Sequence, residues 1–242
     1  MLTSWKKTDE FAFLAEVSSV PLQQALRQRS RRSAEYTASA FRWRDGRLTL
    51  AKMSEPLDSV WSRPLPEGVS LSTVTVSQDL AGRWFVSLLC DDRIEPAPAC
   101  SGSVGVDAGL DSLFTLSGGE KIPNPGHERR DRHRLTRAQR NLARKAQGSV
   151  NRAKARLAVA RVHARIADRR RDHLHKLTTR LVRGTQTIVI EDLTVRNMRA
   201  NHSLARAVSD AAWRQFRTML AYKADWYGRD LVVVDRWFPS TR

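Results

Sequence analysis

Three short runs constrain this chain more than any other feature: "VGVD" at Val104–Asp107, "TIVIE" at Thr187–Glu191 and "DLVVVD" at Asp230–Asp235. The last two carry no polar alternation, the pattern of strands in a sheet covered on both faces. Between them, Val208 to Tyr227 repeats Ala212, Phe216, Leu220 and Ala224 at helical spacing, which predicts an amphipathic helix. A further strand is expected at Leu113–Ser117, joined to the first by a short loop and followed by the turn Gly118-Gly119. Strands separated by helices define an α/β class.

Side chains alternate along a strand, so Val104 and Val106 share one face while Gly105 and Asp107 point to the other. The same alternation sets Ile188 and Ile190 against Val189 and Glu191. Each strand therefore ends by offering a carboxylate. Were the two strands neighbours, carboxylates ~4 Å apart would repel by roughly 4 kcal/mol at an effective dielectric of 20. A lysine between them would relieve this. So would Mg²⁺ or Mn²⁺, hard cations that take few carboxylates and keep room for a phosphate oxygen. Asp107 and Glu191 are thus the candidate catalytic and metal-binding residues. Acids at strand ends also commonly face solvent or cap the next element, and spacing alone does not decide. That plainer role fits Asp111, Asp192, Asp210, Asp230 and Asp235, with Asp210 near the first turn of the following helix.

The formal charge is +17, from 42 Lys/Arg against 25 Asp/Glu. From Arg129 to Arg183 there are nineteen Lys/Arg and three Asp, so nearly all of the excess lies in one stretch. It reads as two helices broken at Gly148-Ser149, the second with a narrow apolar seam of Val159, Val162, Ile166, His173, Leu177 and Leu181. A helical hairpin over 127–183 follows. Its charges self-repel and lack the acids for i,i+4 pairs, which calls for a polyanion. The candidate nucleic-acid-binding residues are Arg137, Arg140, Arg144 and Lys145 in the first helix, and Arg152, Lys154, Arg156, Arg161, Arg169 and Arg170 in the second.

Upstream, residues 1–40 hold a short helical pattern after Pro21 and then a basic run. Residues 41–92 alternate about Asp45-Gly46 and again through "STVTVSQDLAGRWFVSLLC", predicting a small antiparallel β domain. Trp43, Trp61 and Trp84 within it are core candidates, with base stacking as the alternative; Trp213, Phe216 and Trp226 are expected in the core around the last helix. A linker is placed at 93–102, where Pro96 and Pro98 interrupt all periodicity. Cys90 and Cys100 fit neither a disulfide framework nor a metal site, and the six histidines lack ligand spacing. No window is apolar enough for a membrane span, and Asp9 and Glu10 sit where a signal peptide would be apolar. A cytoplasmic, nucleoid-associated protein with no membrane partner is expected.

The motifs "VGVDAGLDSLFTLSGGE", "LARKAQGSVNRAKARLAVARVHARIADRRRDHLHKLTTRLV", "TIVIEDLTVRNM" and "SDAAWRQFRTMLAYKADWYGRDLVVVDRWFPSTR" occur in that order. In this they resemble the TnpB (OrfB) transposase-associated proteins, RNA-guided DNA nucleases related to type V CRISPR effectors. The resemblance covers essentially all of 103–242, and 41–92 with "GRWFVSLL" resembles that family's wedge domain. It implies a partial RuvC/RNase H-like domain over 103–242 with an inserted basic hairpin. It also implies that Asp107 and Glu191 are the first two catalytic carboxylates, that DNA and a guide RNA are the partners, and that Mg²⁺ or Mn²⁺ is the cofactor. The family pattern continues past "RWFPSTR" into a zinc ribbon and a third catalytic Asp, neither of which follows here. The expectations are accordingly no zinc and a transposon-encoded nucleic-acid-binding protein with impaired cleavage. The alternative is a catalytically dead remnant or non-functional fragment.

Overall fold

A computed structural model describes residues 32–92, 94–109, 112–192 and 212–235. The chain divides into two units, Met1–Arg93 and Ile94–Arg242.

In the first unit β1 (Ser33–Thr37) leads through a 3-10 turn into β2 (Phe41–Arg44), β3 (Arg47–Leu50), β4 (Leu71–Gln78) and β5 (Trp84–Cys90). Asp45 and Gly46 both adopt left-handed φ, 50° and 72°, the conformation that a two-residue hairpin demands and that Asp-Gly tolerates. The β2–β3 hairpin and the antiparallel sheet β1-β4-β5 enclose Leu48, Leu50 and Val74. Trp43 and Trp61 close that core edge to face, 5.0 Å between centroids. Trp84 does not join them: it is 65% exposed, beside exposed Phe85 and Leu89. The β domain also begins earlier than position 41. Ser33–Thr37 reads as polar and basic in one dimension, but Ala34 and Tyr36 fall opposite Val76 and Val74, and that pairing makes it a strand. The remainder of the N-terminal segment, 1–31, lies outside the described residues.

The second unit runs β6 (Ser103–Ala108), β7 (Ser112–Leu116), β8 (Lys121–Pro123), α1 (His127–Ala143), α2 (Val150–Gly184), β9 (Thr187–Glu191), α3 (Trp213–Tyr227) and β10 (Asp230–Val234). Its sheet is ordered β10-β9-β6-β7-β8. Strands β6, β7 and β8 form an antiparallel meander, with β9 parallel to β6 and β10 parallel to β9. Fifth, fourth, first, second, third is the RNase H-type strand order, so the RuvC-like expectation is met by topology. Strand β8, three residues long, gave no signal of its own.

One face of this sheet carries the core. Val106, Phe114, Ile188 and Ile190 meet Leu174, Leu177, Leu181 and Val182 of α2 and Trp213, Phe216, Met219 and Leu220 of α3. Phe114 and Phe216 stack 4.0 Å apart, and each buried ring of this kind contributes about 1.5–3 kcal/mol. Sheet coverage differs from expectation: among the described residues the helices pack on this face alone, and Val232 and Val233 of edge strand β10 stay 43% and 39% exposed. β-branched residues favour strands whether or not both faces are covered, so an apolar run overstates burial. Helix α3 starts at Trp213, with Ala212 left-handed before it, and 208–211 lie outside the described residues. Trp226 is exposed, with its ring against Tyr222.

The hairpin forms as expected, but acids do make i,i+4 pairs on it, Glu128 with Arg132 and Asp172 with Lys176. Leu135 of α1 packs on Val159, Val162 and Ile166 of α2, and the Ser149 hydroxyl caps α2 by accepting from the Arg152 N–H at 3.1 Å. Lower in α2, Leu174 takes the buried position, while His173 is half-buried. The expected linker is anchored. Arg229, buried, donates to Val182 O, Gln186 Oε1 and Pro98 O. A Cβ on Gly228, which ends α3 at φ 63°, would stand 2.9 Å from the Pro96 side chain. From Ile94 onward these residues belong to the second unit.

Candidate functional site

The parallel ladder pairs Val104 with Ile188, Gly105 with Val189 and Val106 with Ile190. One step further, each strand presents its acid, Asp107 and Glu191, on the face away from the helices. On the other flank Asp107 lies opposite Thr115, and Thr115 opposite Lys121. Lys121, Thr115 and Asp107 therefore form one row across three strands, about 4.8 Å from each to the next, and Glu191 lies one step past the last paired residues of β6 and β9. Asp107 is exposed and Glu191 half-buried. Burial raises the Glu191 pKa above its ordinary 4.5, and the Asp107 charge raises it further. Two carboxylates sharing a site behave this way when no cation lies between them. Sequence alternation found the two acids. It missed Thr115 and Lys121, although counting by twos through β7 and across the Gly118-Gly119 turn carries the signal.

The other acids have plainer roles. Asp192 pairs with Arg217, and Asp230 accepts from Gln186. Asp111 and Asp210 lie outside the described residues. Among the described residues no group of three or more His, Cys, Asp or Glu could hold a metal ion. Both cysteines are free and half-buried. The rings of His127 and His173 meet edge to face at 6.0 Å.

The hairpin divides its cations between two jobs. Arg137, Arg140, Arg144, Lys154, Arg156 and Arg161 are exposed, while Lys145 and Arg170 are half-buried. Arg152 turns back to cap α1, donating to Leu142 O at 3.3 Å and Lys145 O at 2.9 Å. Arg169 pairs at 2.8 Å with Asp131, which is buried between the helices. Spacing marked those two as nucleic-acid contacts, and tertiary packing shows each held by the protein. Among the described residues no helix is long and apolar enough to cross a membrane.

Strand order and acid row together define a mixed α/β domain of RNase H type with paired carboxylates on its open face. Residues 85–202 match the family described as "Probable transposase" (OrfB_IS605), and 213–242 match the "Cas12f1-like, TNB domain". A protein of Streptomyces pristinaespiralis described as a "Putative RNA-guided DNA endonuclease" is 65% identical over all of this chain and 65% of its own length. The "Putative RNA-guided DNA endonuclease InsQ" of Escherichia coli K12 is 31% identical over all of this chain and 68% of its own. The chain belongs to this OrfB (TnpB-like) transposase family, and it spans about two thirds of the length of these relatives. A solved Cas12f1–sgRNA–target DNA complex aligns with 84% of this chain and 49% of its own at 10% identity and a TM-score of 0.48. The fold assignment rests on strand order and not on that likeness.

Proposed function

We propose that this chain carries the carboxylate pair and the nucleic-acid-gripping hairpin of an RNA-guided, metal-dependent DNA endonuclease, with DNA and a guide RNA as its partners. The observation that carries the reading is the adjacency of Asp107 and Glu191 on one open face, with Glu191 favouring its proton. The donor chemistry fits a divalent cation. Two hard carboxylates that have no ion-pair partner among the described residues suit Mg²⁺ or Mn²⁺, which keep waters and leave positions for phosphate oxygens. Asp107 and Glu191 would hold the ion. Bound there, such a cation supplies Lewis-acid polarisation of a phosphoryl group and a more acidic water. Arg137, Arg140, Arg144, Lys154, Arg156 and Arg161 grip phosphates along the strand without reading bases. The names of the relatives support the guide-RNA and DNA assignment.

The test is Mn²⁺ binding to the full chain, followed by electron paramagnetic resonance, beside RNA binding by fluorescence anisotropy. Asp107→Asn with Glu191→Gln should abolish Mn²⁺ binding and leave RNA affinity within about twofold. Unchanged Mn²⁺ binding in the double variant would overturn the metal assignment, and salt-insensitive RNA binding would overturn the polyanion assignment.

A further inference from the structure

Lys223 of α3 is only 6% exposed, yet among the described residues no carboxylate pairs with it. Its Nζ donates to the His175 carbonyl at 2.8 Å, to Thr178 Oγ1 at 2.8 Å and to Thr179 Oγ1 at 2.7 Å. All three acceptors are neutral, whereas buried charges ordinarily have a counter-charge. Burial pushes the Lys223 ammonium below the ordinary lysine range, and Arg183 pushes it further down.

The surface of α2 beside these acceptors is a shallow, open hollow lined by His175, Lys176, Thr179, Arg180, Arg183 and Gly184. His175 and Thr179 form both its wall and the seat of Lys223. Two of its cations have acids, Lys176 with Asp172 at 2.7 Å and Arg180 with Glu120 at 2.8 Å. Among the described residues no acid pairs with Arg183 or Lys223. Burial lowers the His175 pKa, Lys223 and Arg171 lower it further, and Asp172 opposes them; from α3 the Tyr222 hydroxyl also faces the ring. Since the Thr179 oxygen accepts from Lys223, its single O–H is left to donate elsewhere. Cations are favoured at a helix C-terminus, which explains Arg183 in the last turn of α2. It does not explain Lys223, which sits on another helix and bonds to residues further back.

We infer that this open hollow is a phosphate-binding site that takes a phosphate of a nucleic-acid strand. Arg183 and Lys176 contact the anion, Thr179 donates its hydroxyl, and Lys223 is a positioning charge behind them. The inference rests on the nucleic-acid reading above but uses residues outside the 137–170 surface. It would extend the strand's path from the hairpin towards its base.

The experiment follows the imidazole resonances of the full chain by NMR, with His175→Gln assigning the signal. Each titration is repeated with inorganic phosphate and with a single-stranded RNA. A bound phosphate should raise the His175 pKa towards its ordinary value, and Arg183→Gln should remove that response. Arg183→Gln should also lower the salt slope of RNA binding by about one. Lys223→Met, if it folds, should abolish the response as well; Arg183→Gln, at an exposed position, keeps the test decisive if it does not. A response to both ligands supports a backbone phosphate, and a response to inorganic phosphate alone supports the site with a free phosphate as its occupant. No His175 response while RNA still binds overturns the site and leaves the proposed function standing. No RNA binding at all overturns both.

Discussion

Asp107 on β6 and Glu191 on β9 each lie one residue beyond the last rung of the same parallel ladder, and burial, with the charge of Asp107, raises the Glu191 pKa above its usual range. Folding thus places two like charges side by side on an open face. That arrangement is costly unless a cation or proton lies between them.

The cost has a definite pH dependence. A folded-state pKa above the unfolded value means that the native state holds its proton longer, so stability falls as pH rises from about 4.5 through the raised Glu191 pKa. Above that window the penalty is constant. Asp107→Asn should lower the Glu191 pKa, read by carboxyl NMR. It should also stabilise the protein at pH 8 by at most about 1 kcal/mol, because Asp107 is exposed and solvent screens the pair. No gain at pH 8 would mean that the pair is not strained.

Divalent cations should act in the opposite sense to the repulsion. Mn²⁺ at 100 times its dissociation constant should stabilise the native chain by about 2.7 kcal/mol. A thermal melt should show this in the wild type and not in the Asp107→Asn, Glu191→Gln variant.

Salt should weaken RNA binding steeply, by about 10³–10⁵ between 50 and 200 mM if six to ten phosphates are contacted. Arg137→Gln, Arg140→Gln and Arg156→Gln should each reduce the slope by about one with little change in melting temperature. A slope indifferent to all three would place the contacts elsewhere.

Arg169 and Arg152 should behave differently from those neighbours. Arg169→Met leaves Asp131 buried without its closest cation. The Arg169 side chain is 43% exposed, so the loss should be about 1–2 kcal/mol, below the 3–5 kcal/mol of a fully buried pair. Urea unfolding should show that loss, and adding Asp131→Leu should recover part of it.

Much of this was legible in one dimension. The alternation of "VGVD" and "TIVIE" placed both acids on matching faces, Asp-Gly marked the first hairpin, and Gly148-Ser149 marked the break between the basic helices. Other features were not. Trp84 shares its face parity with Val86 and Leu88 yet is exposed at its strand end, and Arg152 is identical in type and spacing to its solvent-facing neighbours yet caps α1. Side-chain type fixes what a residue can do, but not which partner the folded chain brings to it.

By itself, the sequence determined the local elements, the identity of the paired acids and the concentration of positive charge, because each depends on neighbours within a few residues. Tertiary structure alone decided the strand order that sets Glu191 beside Asp107, the row with Thr115 and Lys121, and the burial of Lys223 without a carboxylate. Those depend on contacts between residues as much as 84 positions apart in the Asp107–Glu191 case, which no local periodicity encodes.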